Sequence, residues 1–206
     1  MKKVISILFS VISLSSFGSF LFEPYLGYTK GAIGYTKSNS PGFNGDYGFE
    51  LNGISYGGKL GIRYSQFVGG IDYSAGKREM KFDFAPGSGI EVPIDSSEYN
   101  SRELGVFLGF HHQEYRIWGT YYFDYSLEAS NGGVGNVGDE YSGKGFGVGL
   151  GGKVIPFISV NVELKILKIE ERNDAGTGEV ITYPTANISD YYVNEILVTV
   201  SFPFEI

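Results

Sequence analysis

Cysteine is absent from the 206 residues. That removes a disulfide framework, a thiolate metal site and a lipid anchor on an N-terminal cysteine. Histidine is almost absent: His111 and His112 are the only two. Adjacent residues in a strand-like turn point apart, so a two-histidine metal site is disfavoured and a solvated turn is their ordinary role. Beyond residue 18 no stretch approaches the roughly 20 apolar residues of a spanning helix. Basic charge is in the minority, 16 Lys and Arg against 23 Asp and Glu, which gives no support for nucleic-acid binding.

The first 18 residues have a character of their own. Met1-Lys2-Lys3 is a short positive segment, residues 4–17 are apolar but broken by serines, and Ser16 and Gly18 stand at −3 and −1 of a cut before Ser19. This is the anatomy of a secretory signal peptide rather than a membrane helix. The expectation is a signal at 1–18 and one exported domain at 19–206, with 14 basic and 23 acidic residues and a net charge of −9.

What the chain has in quantity is glycine (31), tyrosine (16) and phenylalanine (16), a profile of strands and turns. In LGIRYSQFVGGIDYSAG, residues 60–76, the chemistry alternates with period two on both sides of Ser65-Gln66, which reads as a hairpin. The same alternation predicts eight strands, near 22–34, 51–64, 67–82, 102–110, 115–128, 143–154, 158–170 and 191–204. Their connections alternate in length. Tight turns at 65–66, 111–114 and 155–157 contrast with long polar segments near 35–50, 83–101, 129–142 and 171–190, the asymmetry of a barrel with short periplasmic turns and long external loops.

The faces separate a membrane barrel from a soluble one. Phe146, Val148, Leu150 and Val154 alternate with Gly145, Gly147, Gly149, Gly151 and Lys153, and Val160, Val162, Leu164 and Ile166 with Ser159, Asn161, Glu163 and Lys165. A ladder of glycines suits a narrow lumen, where Trp118, Tyr122, Arg63 and Arg116 need room. The alternative is a secreted lipocalin-like barrel with the apolar face inside. Aromatic residues favour lipid outside: Tyr64, Phe67, Phe110 and Tyr115 flank two tight turns, and Tyr121, Phe123 and Tyr125 lie toward the other end, so both interfacial girdles are occupied. Ordinary cross-strand packing would also place aromatics together.

With its leader, the opening FEPYLGY (22–28), the LGIRYSQFVGGIDY hairpin and the closing VNEILVTVSFPFEI (193–206), the chain resembles the small eight-stranded outer-membrane β-barrels of the OmpA and OmpX type. The resemblance implies an all-β, single, antiparallel up-and-down transmembrane barrel in a bacterial outer membrane. It also implies contact with outer-membrane lipid and lipopolysaccharide. The last strand, with Phe202, Phe204 and a terminal Ile206 in place of phenylalanine, would be the signal read by the barrel-insertion machinery.

Catalytic and cofactor motifs are weak by comparison. Residues 147–152 match G-x-G-x-x-G, but Lys153-Val-Ile-Pro156 continues a strand where dinucleotide binding needs a helix N-terminus. Barrels of this class include lipid A deacylases with a His, Ser and acidic constellation, yet both histidines here fall at the short-turn end, away from the outer leaflet. Asp139-Glu140 and Glu170-Glu171 read as a solvated loop face sooner than as a cation site or acid dyad. No cofactor is expected. With Ser65-Gln66 at the turn, Lys59 should face Asp72 across the hairpin. A charge in a narrow barrel needs a partner of opposite sign, so Lys59, Arg63, Asp72, Arg116, Glu163, Lys165 and Glu195 are expected to form a lumen network. The functional expectation is a non-enzymatic barrel with a filled polar lumen and contact-making external loops; a small pore and a lipid-modifying enzyme are the alternatives.

Overall fold

A computed structural model of the protein describes residues 18–37, 46–83, 96–112, 114–131, 136–185 and 188–206. The expected signal lies, but for Gly18, outside the described residues. The described chain forms strands β1 (Ser19–Lys37), β2 (Asp46–Tyr64), β3 (Phe67–Asp83), β4 (Ser97–His112), β5 (Tyr115–Asn131), β6 (Glu140–Ile155), β7 (Ile158–Asp174), β8 (Glu179–Thr182), β9 (Ile188–Ser201) and β10 (Phe204–Glu205). Each of β1 to β7 pairs antiparallel with the next, and β9 pairs with both β7 and β1. Eight staves therefore close on themselves and leave no open edge. β8 is a short addition to β7 above the barrel, in what the sequence suggested was loop. β10 follows Pro203 and pairs with the start of β1, so the terminal strand is broken, Pro203 having no N–H for the ladder.

Ser65 takes φ 57° in the tightest turn. That turn sets the β2–β3 register Tyr64 with Phe67, Ile62 with Gly69 and Lys59 with Asp72. The short turns define the lower end of the barrel and the long connections the upper.

Along its axis the barrel turns inside out. In the lower section the outward residues are apolar and half exposed, among them Leu26, Ile54, Ile62, Val106, Leu108, Ile117, Val148, Leu164 and Val198, while the inward ones include Glu23, Lys59, Asp72, Arg116 and Glu163. On β2 the outward run from Ile54 to Tyr64 rises about 25 Å along the axis at about 3.3 Å per residue and a tilt of about 40°. That is the height of the apolar band of a membrane barrel. Above it every stave changes over within a residue or two. The next outward residue is Lys30, Asn52, Lys77, Arg102, Asp124, Lys144, Lys168 or Asn194 on the eight staves in turn, and none of these is fully buried. The inward residues become apolar at the same height: Ile33, Phe49, Leu51, Met80, Tyr99, Leu127, Leu167, Ile169 and Val193 form one core cluster. The upper barrel is therefore built like a water-soluble one, rising about 20 Å from Ile54 to the start of β2 by the same rise and tilt.

Two expectations are corrected. The lumen is polar in its lower part only. Tyr125, expected on the outer girdle with Tyr121 and Phe123, is fully buried inside. Between Tyr122 and Tyr125 the β5–β6 register shifts, and such a bulge inserts an extra residue and reverses the facing of everything beyond it. Tyr64, Phe67, Tyr115, Tyr121 and Phe123 are exposed on the outer face, and Phe67 meets Phe110 edge-on with centroids 5.9 Å apart.

Candidate functional site: a charged barrel interior beneath an apolar cap

Nine ionisable side chains, all at most 8% exposed, fill the lower and middle lumen: Glu23, Asp72, Glu103, Glu163 and Glu195 against Lys59, Arg78, Arg116 and Lys165. They stack in layers. Nearest the lower end, Arg116 makes a bidentate pair with Glu23 and donates to Asn161 (2.7 Å) and Ser201 (3.1 Å). A planar guanidinium suits this double contact.

In the middle layer Lys59 pairs with Asp72 and lies 3.7 Å from Glu163. Tyr25 donates to Asp72 at 2.9 Å, Tyr122 donates to Glu163 at 2.5 Å, and the Trp118 indole donates to Glu163 at 3.2 Å. The Lys59 ammonium also sits over the rings of Tyr25, Phe107 and Trp118, 5.2 to 5.7 Å from their centroids, so aromatic faces hold what the carboxylates do not. Glycine makes the crossing possible. A methyl group at Gly149 would occupy the Trp118 ring, and one at Gly147 would stand 2.5 Å from Glu163 Oε1.

In the third layer Lys165 pairs with Glu103, and Arg78 reaches Glu195 (3.3 Å), Glu103 (3.5 Å) and the Ile54 carbonyl (3.1 Å). The apolar cluster caps this layer, and its upper surface carries Tyr141, Tyr183 and Tyr191. Above it Asp139 is buried and accepts from the backbone N–H groups of Asn136 and Ala175 and from Arg172 at 2.7 Å. Burial alone would raise its carboxyl pKa, but these donors outweigh it and hold the group below the usual aspartate value. Asp139 is thus a tie between two external turns, not a free acid beside Glu140.

The structure brings Lys59, Asp72, Arg116, Glu163, Lys165 and Glu195 into this interior. Arg63 stays out: it lies at the lower mouth, bound to Glu205 at 2.8 Å and to the Ser65 carbonyl, because two inward steps below Lys59 already reach the turn. His111 points into that mouth, 3.5 Å from Glu205, whereas His112 turns outward between Phe110 and Tyr115. Phe202, Phe204 and Ile206 are all exposed at the lower outer edge. Sequence reading missed Glu23, Arg78 and Glu103, although Arg78 shares the inward parity of Asp72 and Glu103 falls on the face opposite the outward Phe110 of the same strand. Among the described residues no group of three or more His, Cys, Asp and Glu is placed to hold a metal.

In sequence, no family model matches the chain and no curated relative does either. In structure, the chain is similar to Ail, the attachment invasion locus protein of Yersinia pestis, at 12% identity over 89% of this chain and 98% of that one, with a TM-score of 0.47. It is also similar to Neisserial surface protein A, at 16% identity over 91% and 99% with a TM-score of 0.46. A further match is the outer-membrane protease OmpT of Escherichia coli, at 11% identity over 90% and 97% with a TM-score of 0.38.

Proposed function

We propose that the chain is a non-enzymatic outer-membrane barrel whose plugged interior makes it a rigid mount for external loops that contact other surfaces. The observation that carries this reading is the inversion of polarity along the axis. A band apolar outside and charged inside, about 25 Å tall, suits lipid; the section above it, polar outside and apolar inside, suits water. Side chains from opposite walls meet across the lumen, Arg116 with Glu23 and Lys165 with Glu103, which favours a plug over an open pore. Both histidines lie at the lower end, which favours a non-enzymatic role over histidine-dependent lipid hydrolysis at the outer leaflet. The exposed Phe202 and Phe204 suit recognition by the insertion machinery.

Two measurements on protein recovered from outer-membrane fractions test the reading. Folded protein should migrate faster on gels before boiling than after, and in planar bilayers it should be electrically silent. Identical migration would reject the barrel in lipid, and steady channels from pure protein would replace the plug with a pore.

A further inference from the structure

The charges of the interior do not cancel. Five acids, Glu23, Asp72, Glu103, Glu163 and Glu195, face four cations, Lys59, Arg78, Arg116 and Lys165, and all nine are at most 8% exposed. One negative charge is in excess in a narrow lumen, where an uncompensated ion is costly. The interior therefore calls for one more positive equivalent.

Hydrogen bonding shows where it belongs. Glu23 takes both of its donors from Arg116, Asp72 takes Tyr25 and Lys59, Glu103 takes Arg78 and Lys165, and Glu163 takes Tyr122 and Trp118. On these four acids every carboxylate oxygen has a donor. Glu195 differs: Oε1 accepts from Arg78 at 3.3 Å, but Oε2 is buried and meets no donor among the described residues. The Tyr125 hydroxyl is buried without a partner as well. Tyr125 stands opposite Glu103 in register and Glu195 opposite Lys165, and the Lys165–Glu103 pair draws all four into one layer. Tyr125 lies in the field of Glu195, Glu103 and Arg78. One proton would serve both orphan oxygens, since a neutral carboxyl donates through its own O–H and a phenol oxygen accepts.

Resting on the filled interior argued above, we propose that this layer is a proton-binding site, in which Glu195 holds one proton on Oε2 at neutral pH and donates it to the Tyr125 hydroxyl. The groups that face Glu195 are Arg78 from β3, Glu103 from β4, Tyr125 from β5 and Lys165 from β7; β1 and β2 bring Gly31 and Leu51, which carry no charge. With the proton in place Arg78 keeps Glu103 at 3.5 Å as its ionic partner. This layer then has one surplus cation and the Lys59 layer beneath it one surplus anion, with Lys165 over the Tyr122 ring at 4.9 Å between them. The interior as a whole is neutral.

The test is infrared spectroscopy of the full chain folded in lipid, joined to urea unfolding across pH. At neutral pH the parent should show the carbonyl stretch of one neutral carboxylic acid, and Glu195→Gln should lack it. Tyr125→Phe, which keeps the test open should Glu195→Gln not fold, should retain the band but move it to higher frequency by removing the acceptor. A folded state that holds one proton more than the unfolded chain loses stability as pH rises. Relative to Glu195→Gln, the parent's unfolding constant should therefore rise roughly tenfold per pH unit from about 4.3, the unfolded glutamate value, up to the pH at which the band vanishes. The proposal is overturned if the parent shows no acid band, if the band survives Glu195→Gln, if Tyr125→Phe leaves it unmoved, or if urea resistance follows sodium or potassium concentration instead of pH, which would place a metal cation there. Planar-bilayer recording of the same sample separates the two ideas: a silent parent without the band removes the proton site alone, whereas a parent that conducts steadily removes the filled interior on which the site rests.

Discussion

The lower and upper barrel are made from the same eight staves, yet they place opposite chemistry inside. In the lower part Lys59, Asp72, Glu163, Arg116 and Glu23 are packed within a wall of outward Leu, Ile and Val; in the upper part Leu51, Leu127, Leu167 and Ile169 are packed within a wall of outward Lys, Glu and Asn. The difference teaches that a strand's inward face answers to what lies outside the wall. Where lipid takes the apolar side chains, the interior is left with polar ones, and these must satisfy each other because unpaired charges in a narrow lumen are costly. Where water takes the polar side chains, the interior is free to be an ordinary hydrophobic core.

The largest effect that can break this comparison is at Asp72. Replacing it with alanine leaves Lys59 with Glu163 alone, 3.7 Å away, and takes the acceptor from Tyr25. Asp72→Ala should lose about 3–5 kcal/mol in urea unfolding in lipid, the cost of stranding a buried charge, or else begin to conduct. A variant as urea-resistant and as silent as the parent would mean that the lower lumen is wet and weakly coupled. In the upper lumen Leu167→Ala should lose about 2–4 kcal/mol by leaving a cavity and should create no channel, since the charged layers below it remain. The outer faces give the complementary test. Val106→Arg, in the middle of the apolar band, should destabilise by about 2–4 kcal/mol in a bilayer, while Asn100→Arg, six residues up the same outer face of β4, should stay within about 0.5 kcal/mol. Equal costs at the two sites would place both in one environment and remove the inversion.

Much of the lower half was legible in the chain because alternation there is strict. The Ser65-Gln66 turn set the register, and parity then put Lys59 opposite Asp72. The upper half was hidden by its own success as a soluble structure. Residues such as Glu98 and Asn100 lie on the wet outer face of β4, but in sequence they resemble loop, so β4 was expected to start at 102 and begins at Ser97. The bulge at Asp124 hid the rest: it reverses parity without any proline or glycine to announce it, and so Tyr125 was read as an outward aromatic. Arg63 had the right parity but the wrong height. Parity gives the side of the wall, whereas distance from the turn gives the layer, and only closure of the barrel shows which layers meet across it.

The smallest effect concerns the upper rim, where Asp139 ties the turn at 136–139 to the one at 174–178. Its carboxyl lies below the ordinary value, about 3.9 for an unfolded aspartate. A depressed folded value means that the tie contributes fully above the unfolded value and is lost as pH falls through the folded one. As pH falls below the unfolded value, the protection of the Asn136 and Ala175 amides, relative to their intrinsic exchange rates, should therefore drop while the β2–β3 amides near Lys59 and Asp72 stay protected. Asp139→Asn should show the lower protection already at pH 7, with no further loss on acidification, because it lacks the charge that strengthens these hydrogen bonds. If acid instead loosens the Lys59–Asp72 region first, the charged lower lumen rather than the rim is the weaker part of the barrel.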